Sequence, residues 1–136
     1  MSDLKDRLAA AWADDLSGRL NEPVFAGRRR GNVAPPFTVL VVRRMDQTTP
    51  ASGTWLAECR LVVVCDKERA GEEQQAARLR NAFRALEETV ASSVDEERGV
   101  RLYGYSVERV EQAKSERVYS DVVFFVAGVG EFVSEG

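Results

Sequence analysis

One stretch constrains the fold more than any other: Trp55-Leu-Ala-Glu-Cys-Arg-Leu-Val-Val-Val-Cys-Asp66. Its odd positions, Trp55, Ala57, Cys59, Leu61, Val63 and Cys65, are uniformly apolar, whereas Glu58, Arg60 and Asp66 stand at even positions. Apolar residues at every second position mark a strand with one buried face, and this run is predicted to be the central strand of a sheet. Nothing in or near it has the residue types of a catalytic site, so function has to be sought in assembly.

The strand also carries both cysteines. Cys59 and Cys65 lie on one face of it, and at ~3.3 Å per residue they are about 20 Å apart, far beyond disulfide reach. They read as small hydrophobes of a reducing compartment. The 136 residues suit one domain spanning 1–136, and 44% hydrophobic with 30% charged residues fits a soluble globular protein. A net charge of -3 provides no global basic field for nucleic acid. The N-terminus carries Asp3 and Asp6 instead of a basic segment before a long apolar run, and no stretch approaches the ~18 apolar residues of a membrane helix. A cytosolic, non-membrane protein is expected.

From Ser2 to about Leu20, the residues Leu4, Leu8, Trp12, Leu16 and Leu20 recur every four positions, which predicts an amphipathic helix. Ser2 or Asp3 is placed to cap it and Gly18 to end it. Its stripe either packs on a sheet or, with Trp12 as anchor, docks on another subunit. Asn21 to Pro36 reads as a long loop, with an extended touch at Val24 and Phe25, around Arg28, Arg29 and Arg30. These arginines lack the Gly-Lys-Ser/Thr ending of a P-loop and aromatic interleaving for stacked bases. They are a candidate loop facing a partner subunit or DNA. Phe37 to about Arg44 is a β-branched strand entered through Pro35-Pro36. Asp46 to Gly53, with Thr48, Thr49, Pro50 and Ser52, is the turn of an extended hairpin and a candidate assembly loop.

A second helix is predicted from Glu72 to Ser93, on the stripe Ala76, Leu79, Phe83, Leu86 and Val90, with Arg78, Arg80 and Arg84 on its outer surface. Phe83, Leu86, Leu61 and Val63 are expected to share one core. Asp95 to Gly99 is a polar turn. Val100 to Ala113 and Arg117 to Val129 form a closing hairpin about Lys114-Ser115-Glu116. In its first strand Tyr103, Tyr105 and Val107 share a face and Val110 breaks the period, which predicts a bulge. In its second, Val122 to Val126 is apolar on both faces, as in an interior or subunit-covered strand. The expected fold is α+β: a mixed four-stranded sheet with two helices on one face, in the order α-β-β-α-β-β. The second helix is taken to link two strands that pair in parallel. The other face is left half covered.

The chain has no histidine, which removes Ser/His/Asp and Cys/His catalysis and His-based metal sites. The pairs Glu72/Glu73, Glu87/Glu88 and Glu96/Glu97 read as solvated charge, and Gly128-Val-Gly130 is too short for a dinucleotide fingerprint. No enzyme, cofactor or metal is expected.

The element order, with Pro35-Pro-Phe-Thr-Val-Leu-Val-Val42, a return strand ending at Asp66, the helix Ala76-Ala-Arg-Leu-Arg-Asn-Ala-Phe-Arg-Ala-Leu86 and the closing strand Val122 to Val126, resembles the tail terminator proteins of tailed phages. The lambda-type minor tail protein U and related tail-completion proteins belong to that family. The resemblance covers nearly the whole chain through element order, size and pattern, without a signature motif. It implies a virion protein, assembled in the host cytoplasm, that forms a hexameric ring on the head-proximal end of the tail tube. Such a ring stops tube polymerisation and offers a surface to the head connector or neck protein. Its partners would be itself, the tail tube protein, the connector and, transiently, DNA. Two rival readings are a small host-encoded ligand-binding α+β domain or enzyme with a pocket on the open sheet face, and a nucleic-acid-binding adaptor using Arg28, Arg29 and Arg30.

Overall fold

The computed structural model describes residues 2–28, 31, 34–48, 53–66, 71–92, 94–95, 100–114 and 117–131. Helix α1 is Ser2–Leu20, and the strands β1 and β2 that follow are Val24–Ala26 and Phe37–Gln47. Strand β3 is Thr54–Asp66, helix α2 is Glu72–Ser92, and the chain closes through β4 (Val94–Asp95), β5 (Val100–Lys114) and β6 (Val118–Glu131). The expected four-stranded sheet is corrected by this: five strands have three residues or more, and the two-residue β4 makes a sixth, in the spatial order β1-β2-β3-β6-β5-β4. The added β1 pairs in parallel with β2, Val24 opposite Thr38, and that pairing alone makes the sheet mixed. The strands on either side of α2 do not pair. β6 lies between them, antiparallel to both β3 and β5, because the strand apolar on both faces belongs in the interior and its hairpin partner takes the outer place.

β3 sits between β2 and β6, and its buried residues Ala57, Cys59, Leu61, Val63 and Cys65 follow the predicted alternation. Both thiols are free. On this face Leu8, Trp12 and Leu16 of α1, Ala82, Ala85 and Leu86 of α2, and Val123, Phe125, Ala127 and Val129 of β6 complete one core. Trp12 is 1% exposed and meets Phe125 edge-on at 5.4 Å, so it anchors α1 to its own sheet and not to another subunit. α1 does not stop at Gly18. It runs to Leu20, and Asn21 takes the left-handed turn at φ 53°, a conformation asparagine tolerates. The side chains of Ser2 and Asp3, expected to cap α1, lie outside the described residues, as does that of Val90 in α2.

α2 is rotated from its predicted face. Gln75, Ala82, Ala85, Leu86 and Thr89 are buried, Ala76 is exposed, and Leu79 and Phe83 flank the core half-buried. Small residues at 82 and 85 let the helix backbone approach the sheet and push the larger apolar side chains to its margins. Phe83 does join Leu61, Val63 and Leu86, but from the rim. Phe83→Ala is accordingly expected to cost about 2 kcal/mol, below the ~3–5 kcal/mol of a fully buried phenylalanine; urea denaturation checks this, and a loss above the upper figure would place the ring in the centre. The polar turn expected at Asp95 to Gly99 begins instead with β4, and its residues 96–99 lie outside the described residues.

The bulge expected in the closing hairpin is present twice, between Leu102 and Gly104 and between Val107 and Arg109. The second shifts the parity so that Val110, opposite Val123, returns to the helix side. Tyr103 does not share a face with Tyr105. Tyr105 meets Phe125 edge-on at 6.4 Å on the helix side, whereas Tyr103 lies over Gly130, where an added Cβ would come within 2.7 Å of its ring.

Candidate assembly surface

The helix-free face of the sheet is built from the even positions of β3 and β6 and their partners. At one end Phe37, Val39 and Val64 form a small buried cluster of their own, flanked by Phe25, Val41, Val62 and Val118. Phe25 stands edge-on to Phe37 at 6.0 Å, so the short β1, expected only as an extended touch at Val24 and Phe25, closes this end. Across the middle the register brings Arg60, Phe124 and Arg109 side by side. The Phe124 ring is clasped by two guanidiniums, their central carbons 5.1 Å (Arg60) and 3.9 Å (Arg109) from its centroid, a cation–π arrangement on both sides. Arg60 Nε is buried with no hydrogen-bond partner among the described residues, which leaves the ring as its company.

Around this stripe lie exposed ion pairs: Arg43 with Glu58 at 3.6 Å, Arg44 with Asp46 at 2.9 Å and Arg109 with Glu111 at 2.9 Å. Pairs this exposed add ~0–1 kcal/mol to folding and exchange partners cheaply, which suits a surface that meets another protein. A cavity beside Arg60 and Phe124 has a volume of about 20 Å³, well below the roughly 300 Å³ and more of organic-ligand sites. The exposed large hydrophobics of the described residues are Leu56, Tyr103, Val107 and Val110. Three of these four belong to β5.

The sequence-predicted residues are dispersed. Arg28 is exposed just after Gly27, whose backbone N–H donates to the Leu40 carbonyl and whose φ is 84°; Arg29 and Arg30 lie outside the described residues. Thr48 closes the neck of the β2–β3 hairpin, its N–H donating to the Thr54 carbonyl at 3.0 Å and its hydroxyl 2.5 Å from that of Thr54. β2 extends to Gln47 and β3 starts at Thr54, so the loop is shorter than the predicted Asp46 to Gly53. Its Thr49, Pro50 and Ser52 lie outside the described residues. Sequence reasoning missed a buried polar girdle. Arg78, expected on the outer surface of α2, donates to the Val64 carbonyl and to Glu22 Oε2, both at 2.5 Å. Gln75 donates to the Val63 carbonyl at 3.1 Å and to Asp121 Oδ2 at 2.6 Å. Polar residues at 75 and 78, in line with Ala82, Ala85 and Thr89 on one helix face, are the signal that was available.

Burial, with a smaller push from Glu58, raises the Cys59 thiol to about 12, so it stays protonated and inert. Among the described residues no group of three or more His, Cys, Asp or Glu is close enough to hold a metal ion, and no helix is long and apolar enough to cross a membrane.

No protein-family model matches the sequence, and no curated protein does. Among solved structures the chain is similar to one from the "Virion of native gene transfer agent (GTA) particle", with a TM-score of 0.57 and 20% identity over 93% of this chain and 91% of that one. At that identity the likeness is one of fold, and it extends over both chains nearly end to end.

Proposed function

We propose that this chain is a structural protein of a phage-like particle, a tail terminator that forms a ring on the head-proximal end of the tail tube. The carrying observation is that a chain of the gene transfer agent virion has the same fold over nearly its full length. The helix-free face, with its arginine-clasped Phe124 and exposed ion pairs, supports contact between proteins. In this reading the ring, of six copies by the family resemblance, blocks further tube subunits on one side and receives the head connector on the other. The hairpin tip beyond Thr48 reaches a neighbour or the tube, Arg28, Arg29 and Arg30 face a neighbour or passing DNA, and no catalysis is involved.

The test is to add the purified chain to growing tail tubes and follow tube length by electron microscopy, beside sedimentation over a concentration series. The expected result is shortened tubes with a ring on one end. A chain that stays monomeric at high concentration and neither binds nor caps tubes refutes the reading.

A further inference from the structure

β4 pairs with β5 only at Val100 and Arg101. Beyond Leu102 the outer edge of β5, residues 103–114, has no strand beside it among the described residues, about 40 Å of strand edge at ~3.3 Å per residue. Proteins usually guard such an edge by keeping it short, or by proline, bulges or charge. β5 is long and has no proline, its guards being two bulges and the charges of Glu108, Arg109 and Glu111, and from Ser106 to Ala113 its side chains are exposed. It also displays Tyr103 (61% exposed), Val107 (37%) and Val110 (41%). A second edge is open on the other side of the sheet: β1 stops at Ala26, opposite Leu40, and leaves residues 41–47 of β2 without an outer neighbour among the described residues.

We propose that these two edges are made for each other: residues 103–114 of β5 accept, as an added strand, residues 41–47 of β2 from a second copy of this chain. Three observations select that occupant. β2, β3, β6 and β5 are successively antiparallel, so β2 and β5 run in opposite directions. A copy rotated about an axis along the strands therefore presents β2 to β5 as an antiparallel partner, and the ladder continues from subunit to subunit. Each edge carries exposed charges of both signs, Arg43, Arg44 and Asp46 on β2 and Glu108, Arg109 and Glu111 on β5; the pairs they form within the chain are exposed, so the same groups are available to pair across the contact. A two-fold contact of β5 with β5 would leave the β2 edge bare, whereas the head-to-tail contact covers both edges of every copy once a ring closes. The inference deepens the ring reading and rests on it, naming the surfaces through which copies join.

Hydrogen exchange, followed by mass spectrometry on the full chain as monomer and as the species assembled in solution or on tail tubes, tests it. Slowed exchange in both residues 103–114 and 41–47 on assembly supports the inference. Rings whose β5 amides exchange as in the monomer overturn it and leave the ring intact, and protection of β5 without β2 overturns it in favour of a two-fold contact. If no assembly forms in either setting, the ring reading itself falls. A second variant works on side chains alone: V107K/V110K, at positions already exposed, is expected to keep the monomer's circular dichroism and melting and to weaken self-association about tenfold or more. Unchanged association overturns the proposal.

Discussion

Truncating Phe125 to Ala is expected to remove about 3–5 kcal/mol of unfolding free energy, a large share of a typical domain's total. Phe125 is 1% exposed at the middle of β6, and it holds Trp12 of α1 on one side and Tyr105 of β5 on the other, both edge-on. Removing the ring leaves a cavity between a helix and two strands that are themselves hydrogen-bonded in register, so the site has little freedom to collapse. The neighbouring residue is the control. Phe124 points to the helix-free face, half-buried between Arg60 and Arg109, and Phe124→Ala should cost about 1–2 kcal/mol through partial burial and the lost cation–π contacts. Urea denaturation of both variants decides the point. Equal losses would mean that the two faces of β6 are equally packed, contrary to one helix-covered and one open face.

That contrast marks how far the sequence could be read. Alternation in the Trp55 to Asp66 run determined which side of β3 is buried, because hydrophobic burial alternates with the pleat. The four-residue recurrence in α1 did the same for its stripe. Pairing order was harder. A crossover helix says only that its flanking strands share a direction, and a hairpin can dock by either arm; the deciding signal, Val122 to Val126 apolar on both faces, was present but not turned into an order. β1 has three residues, too few for any period, and it exists because β2 offers a partner. In α2 a tally of apolar residues favoured Phe83 and Ala76, whereas close packing on the sheet favours Ala82 and Ala85 with Gln75 and Arg78 turned inward. The candidate surface was illegible for a related reason: Arg60, Phe124 and Arg109 come from three strands, and only their register makes them neighbours.

The inward turn of Arg78 leads to the second large effect. Arg78 and Glu22 have side chains only 16% and 18% exposed, and they join at 2.5 Å. The same guanidinium donates to the Val64 carbonyl, and Glu22 accepts from the Thr38 hydroxyl at 3.4 Å. One arginine thus ties α2 to β3 and to the segment between α1 and β1, while the Ser17 hydroxyl holds that segment by donating to the Glu22 carbonyl at 2.9 Å. Arg78→Ala strands the Glu22 carboxylate and bares a buried carbonyl. Its expected cost is about 2–3 kcal/mol, between the ~0–1 of an exposed pair and the ~3–5 of a fully buried pair broken from one side. Because the loss is dominated by the abandoned charge, the double variant R78M/E22Q should be less destabilised than the sum of its two single variants, with a coupling of about 1 kcal/mol or more. Screening should matter little at this depth, so the coupling should change little between low and high salt. A double-mutant cycle by urea denaturation at two salt concentrations measures all of this, and strictly additive losses would reduce the Arg78–Glu22 contact to a surface pair.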